Sequence, residues 1–461
     1  MKIHSIAAVL ALAALVSVDV AFAQESAFPS KWRFVSKSKD IYQGTWLGEG
    51  RTAPATDAGT GYITAERCAA NAGKPLDYKL ASDKMPCADG FLEGDSWTFH
   101  FPVKSLKKGS YVELDLIIGT NPHSPRYLAV EYFDGGVWKQ SEADLNAVPD
   151  KPSLFYNVKC SGRGTEHVTV LQTVRFSKPV RGEALIRLRV VGDIACDGSP
   201  LSVPGGDGAM RFLSYGYIGA YADMRGTDAP ADTTKVGMIG NSFTFVNASD
   251  FMLKELAWYE GHYLDMYVST YAGANFRRHT MVPRSLDVMT RGGYDWFILQ
   301  DLSSQTPRYG AGIDQSFLDY TKTVASLVRH FTPDCKLLYE KLWSFRWHDF
   351  YGYGSFEKYD SLATVGAAKL SEAIKAKSTH VGDAFAIARR ERPELEKDLY
   401  STDDHHPGAY GAYVKACVDY LEIFGIPFKS NKANFALDPE KCAYLRRVAE
   451  RVCLEGEALK Y

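Results

Sequence analysis

The chain has 461 residues, 46% of them hydrophobic and 23% charged, with a formal net charge of −2. That length suits two or three domains, and the composition is ordinary for a globular chain with sizeable apolar cores. The charge balance does not suggest a nucleic-acid or anionic-membrane partner.

The N-terminus reads as an export signal. Met1-Lys2-Ile3-His4 carries the positive start, and an apolar run extends from Ile6 to Val18. Ala21-Phe22-Ala23 then offers a small-x-small cleavage site before Gln24. Asp19 interrupts the run, which falls short of the roughly 20 apolar residues of a membrane span. No cysteine follows it, as a lipoprotein would need. Residues 1–23 are therefore expected to be a signal peptide, and the mature chain to be periplasmic or extracellular. Eight cysteines fit an oxidising compartment. The expected bridges are Cys68 with Cys87, Cys160 with Cys196, and a staple from Cys417 to Cys442 or Cys453. Structural zinc is not expected, since no Cys-x-x-Cys pair is present.

Residues 24 to about 60 look irregular. From about 90 to 222 the pattern is all strand. Ser96–Phe101, Tyr111–Ile118, Tyr127–Phe133, Val168–Val174, Ala184–Val191 and Met210–Ile218 alternate or run apolar, with turn residues between them. Asp134-Gly135-Gly136 before Val137-Trp138 is a hairpin signal. Residues 24–225 are expected to form a β-sandwich resembling, in architecture, the jelly-roll modules that accompany carbohydrate-active enzymes. Trp97, Tyr127 and Trp138 suit either sugar stacking or the sandwich core. Gly226–Thr234 is a small, polar, proline-containing linker.

From 235 the pattern changes to strand–helix alternation. Strands are expected at 235–239, 264–269, 295–299, 336–340 and around His380-Val381. Helices are expected at about 250–260, 282–291, 314–331, 361–376, 408–424 and 438–454. Residues 235–461 thus predict an α/β domain with a mostly parallel sheet, whose ligands bind at the C-terminal strand ends. Ser242, Gly273 and Gln300 all fall at such ends.

Gly240-Asn241-Ser242 is common in plain turns, but its place after a buried strand and before a helix suits a nucleophile. A serine hydroxyl is a weak nucleophile and needs a histidine base, which needs an acceptor of its own. Asp403-Asp404-His405-His406-Pro407 can supply both from one loop. His406 is favoured over His405 because it is spaced three from Asp403.

These residues resemble the SGNH (GDSL-type) hydrolases over roughly 235–425. Gly240-Asn241-Ser242-Phe243 resembles the first block, normally Gly-Asp-Ser-Leu. Gly273 matches the second-block glycine, and Asp403-x-x-His406-Pro407 the final block. The usual third block, Gly-x-Asn-Asp, is replaced by Leu299-Gln300-Asp301-Leu302-Ser303-Ser304-Gln305, an arrangement similar to that of carbohydrate acetyl esterases. The resemblance implies a three-layer fold and a catalytic set of Ser242, His406 and Asp403. It also implies an oxyanion hole from the Ser242 and Gly273 N–H groups and the Gln300 amide, with Gln305 second in line. Asn241, Gln305, Trp343 and Trp347 are candidate substrate contacts, the tryptophans belonging to an aromatic-rich loop, 343–353. That loop also suits packing on the neighbouring sandwich. The expected protein is an exported esterase for acetyl or similar groups on a glycan or a small ester, needing no metal or organic cofactor. The alternatives are a lipid or thioester hydrolase, or a carbohydrate-binding protein with a degenerate hydrolase domain.

Overall fold

The computed structural model describes residues 30–33, 52–54, 61–80, 86–120, 122–142, 145–160, 166–202, 209–212, 217–223, 233–347, 352–430, 433–435 and 437–457. The expected signal peptide lies outside the described residues, as does the expected linker up to residue 232. Thr233 and Thr234, its last two residues, open a strand instead.

The first half is built of strands: β1 (Ser30–Arg33), β2 (Thr52–Pro54), β3 (Tyr62–Glu66), β4 (Asp77–Leu80), β5 (Pro86–Asp89), β6 (Ser96–Leu106), β7 (Tyr111–Thr120), β8 (Tyr127–Asp134), β9 (Val137–Gln140), β10 (Asn146–Val148), β11 (Lys151–Tyr156), β12 (Val158–Lys159), β13 (Glu166–Arg175), β14 (Val180–Val190), β15 (Ala209–Phe212) and β16 (Tyr217–Asp223). They form two larger antiparallel sheets. One runs β1-β16-β7-β15-β5-β4 with β13 also on β7, the other β12-β8-β14-β6-β3-β2 with β9 on β8. Strand β14 shows the period of two in its inward residues Ala184, Ile186, Leu188 and Val190. These meet Val112, Leu114, Ile118 and Val174 of the other sheet in one apolar core. The expected hairpin closes with Asp134 opposite Val137, and Gly135 and Gly136 both take positive φ, 65° and 91°. That is the requirement of a type I′ turn, which only glycine and a few polar residues meet without strain. The single strand expected over 210–218 is two, β15 and β16. They lie end to end along one edge of β7, the pairing shifting from Ile118 to Asp115.

Trp97 and Tyr127 are buried core residues. Trp138 is half-buried, with the Arg187 guanidinium 4.0 Å from its ring centroid. The cysteines depart from expectation. Cys68, Cys335, Cys417, Cys442 and Cys453 are thiols. Cys68 Sγ donates to the Glu93 carbonyl and Cys196 Sγ to the Pro125 carbonyl, in place of the bridges from those residues. Cys417 and Cys442 are enclosed in apolar helix packing, and burial pushes the Cys442 thiol up to about 12.

The second half alternates strand and helix. Strands β17 (Thr233–Gly240), β18 (Tyr263–Thr270), β19 (Trp296–Leu299), β20 (Lys336–Tyr339) and β21 (Lys377–Ser378) form a five-stranded sheet in the order β18-β17-β19-β20-β21. All four pairings are parallel. The helices are α1 (Ser242–Phe245), α2 (Ser249–Tyr259), α3 (Phe276–His279), α4 (Pro283–Thr290), α5 (Gln305–Gly310), α6 (Ser316–Phe331), α7 (Phe356–Ala373), α8 (Val381–Glu391), α9 (Glu396–Leu399), α10 (Ala409–Phe424) and α11 (Pro439–Leu454). Val236 and Met238 pack with α2, α8, α10 and α11, while Ile239 packs with α4, α6 and α7. Covered on both faces, β17 is apolar without alternation from Val236 to Gly240. The short strand expected around His380-Val381 lies earlier, at β21, and His380 precedes α8, whose Val381, Ala384, Phe385 and Ala388 form a buried helical stripe.

The strand order sets up the site. β17 lies between β18 and β19, so the segments leaving their C-terminal ends, at Gly240, Thr270 and Leu299, are neighbours.

Candidate active site

Chain direction at Ser242 is set by Gly240 and Asn241. A Cβ on Gly240 would lie 2.7 Å from Gln300 Oε1 and 2.8 Å from Thr244 Oγ1, so only glycine fits there. Asn241 then caps α1, its Oδ1 accepting from the Phe243 N–H at 3.0 Å. Its Nδ2 donates to the carbonyls of Ala274 (2.9 Å) and Asp301 (3.2 Å). One fully buried side chain thus ties together the segments that follow all three strands. Asn241 was expected at the substrate; it is a structural tie instead.

Ser242 follows as the first residue of α1. Its Oγ lies 2.7 Å from His406 Nε2, and His406 Nδ1 lies 2.7 Å from Asp403 Oδ2. The second Asp403 oxygen accepts from the N–H groups of His406 (3.0 Å) and His405 (3.2 Å) and from Ser401 Oγ (2.6 Å). Partial burial raises the Asp403 carboxyl. The hydrogen bonds from His406 and Ser401 and the histidine charge outweigh it, holding Asp403 well below the usual carboxylate range. An ionised Asp403 selects the His406 tautomer with the proton on Nδ1, which leaves Nε2 to accept from the serine.

The loop carrying these two residues is clamped from three sides. Trp343 Nε1 donates to the His405 carbonyl (3.0 Å), and Asn247 Nδ2 to the Pro407 carbonyl (2.8 Å). The Arg346 N–H and guanidinium bond the Asp404 carbonyl and carboxylate at 2.9 and 2.7 Å. Asp404 needs that hold because its φ is 64°, in the left-handed region. Phe243 packs against the His406 ring at 5.2 Å between centroids, and Phe345 against His405 at the same separation.

The aromatic loop therefore divides. Trp343 is fully buried, stacked 4.2 Å from Phe385 at an interplanar angle of 7°, and does not contact substrate as expected. Phe345 and Tyr353 are buried too, whereas Trp347 is 60% exposed beside Arg346. Residues 348–351 of this loop lie outside the described residues.

Gln300 departs furthest from expectation. It is fully buried. Its Oε1 accepts from the Asn241 N–H (2.7 Å) and Thr244 Oγ1 (3.0 Å), and its Nε2 donates to the Asp301 carbonyl. These bonds run inward from a side chain with no solvent exposure, so Gln300 braces the serine turn and its amide is not presented to an oxyanion. Gln305 is also turned inward, against Asp301 and Asn275. Gly273 lies exposed in the left-handed region, φ 61°, after β18. Among the described residues, no acceptor is found for the backbone N–H of Ser242 or Gly273.

Asp403, His405 and His406 bring one donor atom each within 4.8 Å of one another. An ion held by His406 would take a ring nitrogen away from either Asp403 or Ser242. What sequence alone did not reveal is the clamping role of Trp343, Arg346 and Asn247. Each acts through a partner remote in the chain, and no local motif announces it.

No family model matches the chain, and no curated protein matches it. Solved structures do. They include SGNH hydrolases, GDSL-like lipases and carbohydrate esterases. One is a DUF4886 family protein from Bacteroides uniformis, 18% identical, covering 50% of this chain and 98% of that one, with a TM-score of 0.41. Another is a lipase from a goat rumen metagenome, 13% identical, covering 41% and 96%, with a TM-score of 0.32. A third is a family two carbohydrate esterase from Cellvibrio japonicus, 11% identical, covering 79% and 98%, with a TM-score of 0.31. At such TM-scores these likenesses set no constraint on what this chain acts on.

Proposed function

We propose that the protein is an exported serine esterase that removes acyl groups, acetyl above all, from a carbohydrate. The observation that carries the reading is the hydrogen-bonded series Ser242 Oγ, His406 Nε2, His406 Nδ1 and Asp403 Oδ2, each step 2.7 Å long. In this mechanism Ser242 Oγ attacks the ester carbonyl while His406 Nε2 takes its proton. Asp403 stabilises the imidazolium and keeps the ring oriented. The N–H groups of Ser242 and Gly273 receive the negative charge that develops on the carbonyl oxygen. His406 then protonates the departing alcohol, and water attacks the acyl-serine by the reverse route.

The carbohydrate part of the proposal is supported by Trp347, an exposed aromatic side chain next to Arg346, which holds the histidine loop, and of the type that stacks on sugar rings. Export is supported by the N-terminal sequence. The two-sheet unit of residues 24–225 is taken as a jelly-roll-like module accompanying an SGNH-type domain of residues 235–461.

Hydrolysis of a small acetate ester and of an acetylated polysaccharide, by wild type and Ser242→Ala, tests the proposal. Wild type should release acetate from both, and Ser242→Ala should lose at least about a thousandfold in kcat. Equal rates in the two proteins would refute the catalytic assignment. Glycan binding without turnover would point to a binding protein instead.

A further inference from the structure

With Gln300 buried as a brace of the serine turn, the two backbone N–H groups lack a side-chain partner for the oxyanion. The loop after β18 carries a candidate that the sequence reading passed over. Asn275 stands two residues beyond Gly273 and is half-buried. Its Oδ1 is turned inward, accepting from the Arg278 N–H at 2.9 Å to cap α3. The Ala274 carbonyl is held by Asn241 Nδ2 at 2.9 Å, so the 274–275 peptide lies against the turn that carries Ser242.

The orientation of the Asn275 amide is enforced from behind. Gln305 lies between Asn275 and the buried Asp301 carboxyl. With its Nε2 facing Asp301 it donates to Oδ2 at 3.0 Å and Oδ1 at 3.3 Å, and its Oε1 accepts from Asn275 Nδ2 at 2.8 Å. The reverse orientation would set donor against donor and acceptor against acceptor. Asp301 is itself fixed, its Oδ1 accepting from the N–H groups of Phe276 (3.1 Å) and Leu302 (2.8 Å). An amide nitrogen carries two hydrogens, and Gln305 takes one from Asn275. Among the described residues no acceptor is found for the other.

We propose that Asn275 Nδ2 supplies the side-chain hydrogen bond to the oxyanion, and that Gln305 and Asp301 are positioning residues that hold its amide for that task. The proposal rests on the serine-esterase reading. It replaces a donor at the end of β19 with one on the loop after β18, beside Gly273. The series from Asp301 through Gln305 to Asn275 is preorganised, so the donor needs no rearrangement when charge develops.

The test compares wild type, Ser242→Ala, Asn275→Ala, Asn275→Asp and Gln305→Leu on a small acetate ester. Thermal midpoints are recorded, together with the affinity for an alkylboronic acid, whose serine adduct places an oxygen where the oxyanion forms. Asn275→Asp keeps an acceptor for the Arg278 N–H, so the α3 cap survives while the donor is lost. In both Asn275 variants kcat should fall about 10²–10³-fold with KM little changed. Boronic acid affinity should weaken in step in both variants. Gln305→Leu should lose about tenfold in kcat, since it disorders the donor without removing it. Wild-type kcat in Asn275→Ala, or lost kcat with unchanged boronic acid affinity, overturns the proposal. If Ser242→Ala matches wild type, the esterase reading itself falls, and the assignment of Asn275 falls with it.

Discussion

Replacing Gln300 by leucine separates a structural brace from a catalytic donor. The two side chains are similar in size, and position 300 is fully buried, so the change removes hydrogen bonds with little change in packing volume. Three partners are affected: the Asn241 N–H, the Thr244 hydroxyl and the Asp301 carbonyl. The Asp301 carbonyl keeps a second donor, Asn241 Nδ2, so two groups are left buried and unpaired. At about 1–3 kcal/mol for each orphaned group, Gln300→Leu should lose about 2–6 kcal/mol of stability. That is a large share of the roughly 5–15 kcal/mol that holds a typical domain together. Equilibrium urea unfolding, followed by tryptophan fluorescence and circular dichroism, measures the loss. Turnover is scored per folded molecule by titrating reactive serine with a fluorophosphonate. The reasoning predicts a strongly destabilised protein whose folded fraction keeps its turnover to within about tenfold. A variant as stable as wild type but slowed about 10²–10³-fold would refute it, because that is the signature of a lost oxyanion donor.

Trp343→Phe should keep the stack on Phe385 but lose the bond to the His405 carbonyl. It should cost about 2–4 kcal/mol by the same unfolding assay, from the orphaned carbonyl and the cavity left by the smaller ring, and lower kcat more than it raises KM. Trp347→Ala should leave stability and small-ester kinetics unchanged while raising KM on acetylated polysaccharide. Equal KM on the polymer would remove the exposed ring from the substrate surface. His279 is fully buried, and desolvation lowers it to about 4, with Nδ1 against Ser285 Oγ at 2.7 Å. The folded state therefore favours the neutral ring relative to the unfolded chain, where the pKa is about 6.5. That contribution is complete above about pH 6.5 and is lost as the pH falls toward 4, by an amount on the order of 3 kcal/mol. His279→Gln should flatten this part of the stability profile between pH 7 and 4, and an unchanged slope would contradict the assignment.

The fold and the site were legible to different depths. Strand β17 announces itself as an apolar run because both its faces are covered, and β14 by its alternation. The spacing Asp403-x-x-His406 works locally, since one tight loop lets a backbone N–H and a ring nitrogen of His406 reach the same carboxylate. Helix α8 was missed because Val381 and Phe385 are the large apolar residues at its start and its stripe is completed by the small Ala384 and Ala388. The bridges expected from cysteine count met the opposite difficulty. Composition speaks of compartment, while pairing depends on which thiols the fold brings together, and Cys417 and Cys442 sit in helix packing as small apolar side chains.

Residue type and order alone determined that a serine after a buried strand, a glycine after the next, and an Asp-x-x-His loop near the end occur in one α/β chain. Those are properties of periodicity and short spacing, which a linear chain carries directly. Only the tertiary structure decided how each polar atom is used. Gln300, Asn241 and Trp343 looked like groups facing a substrate, but their hydrogen bonds run inward to Thr244, Ala274, Asp301 and His405. A side chain's role as donor or brace depends on the partners within about 3 Å, and those partners come from segments far apart in the chain.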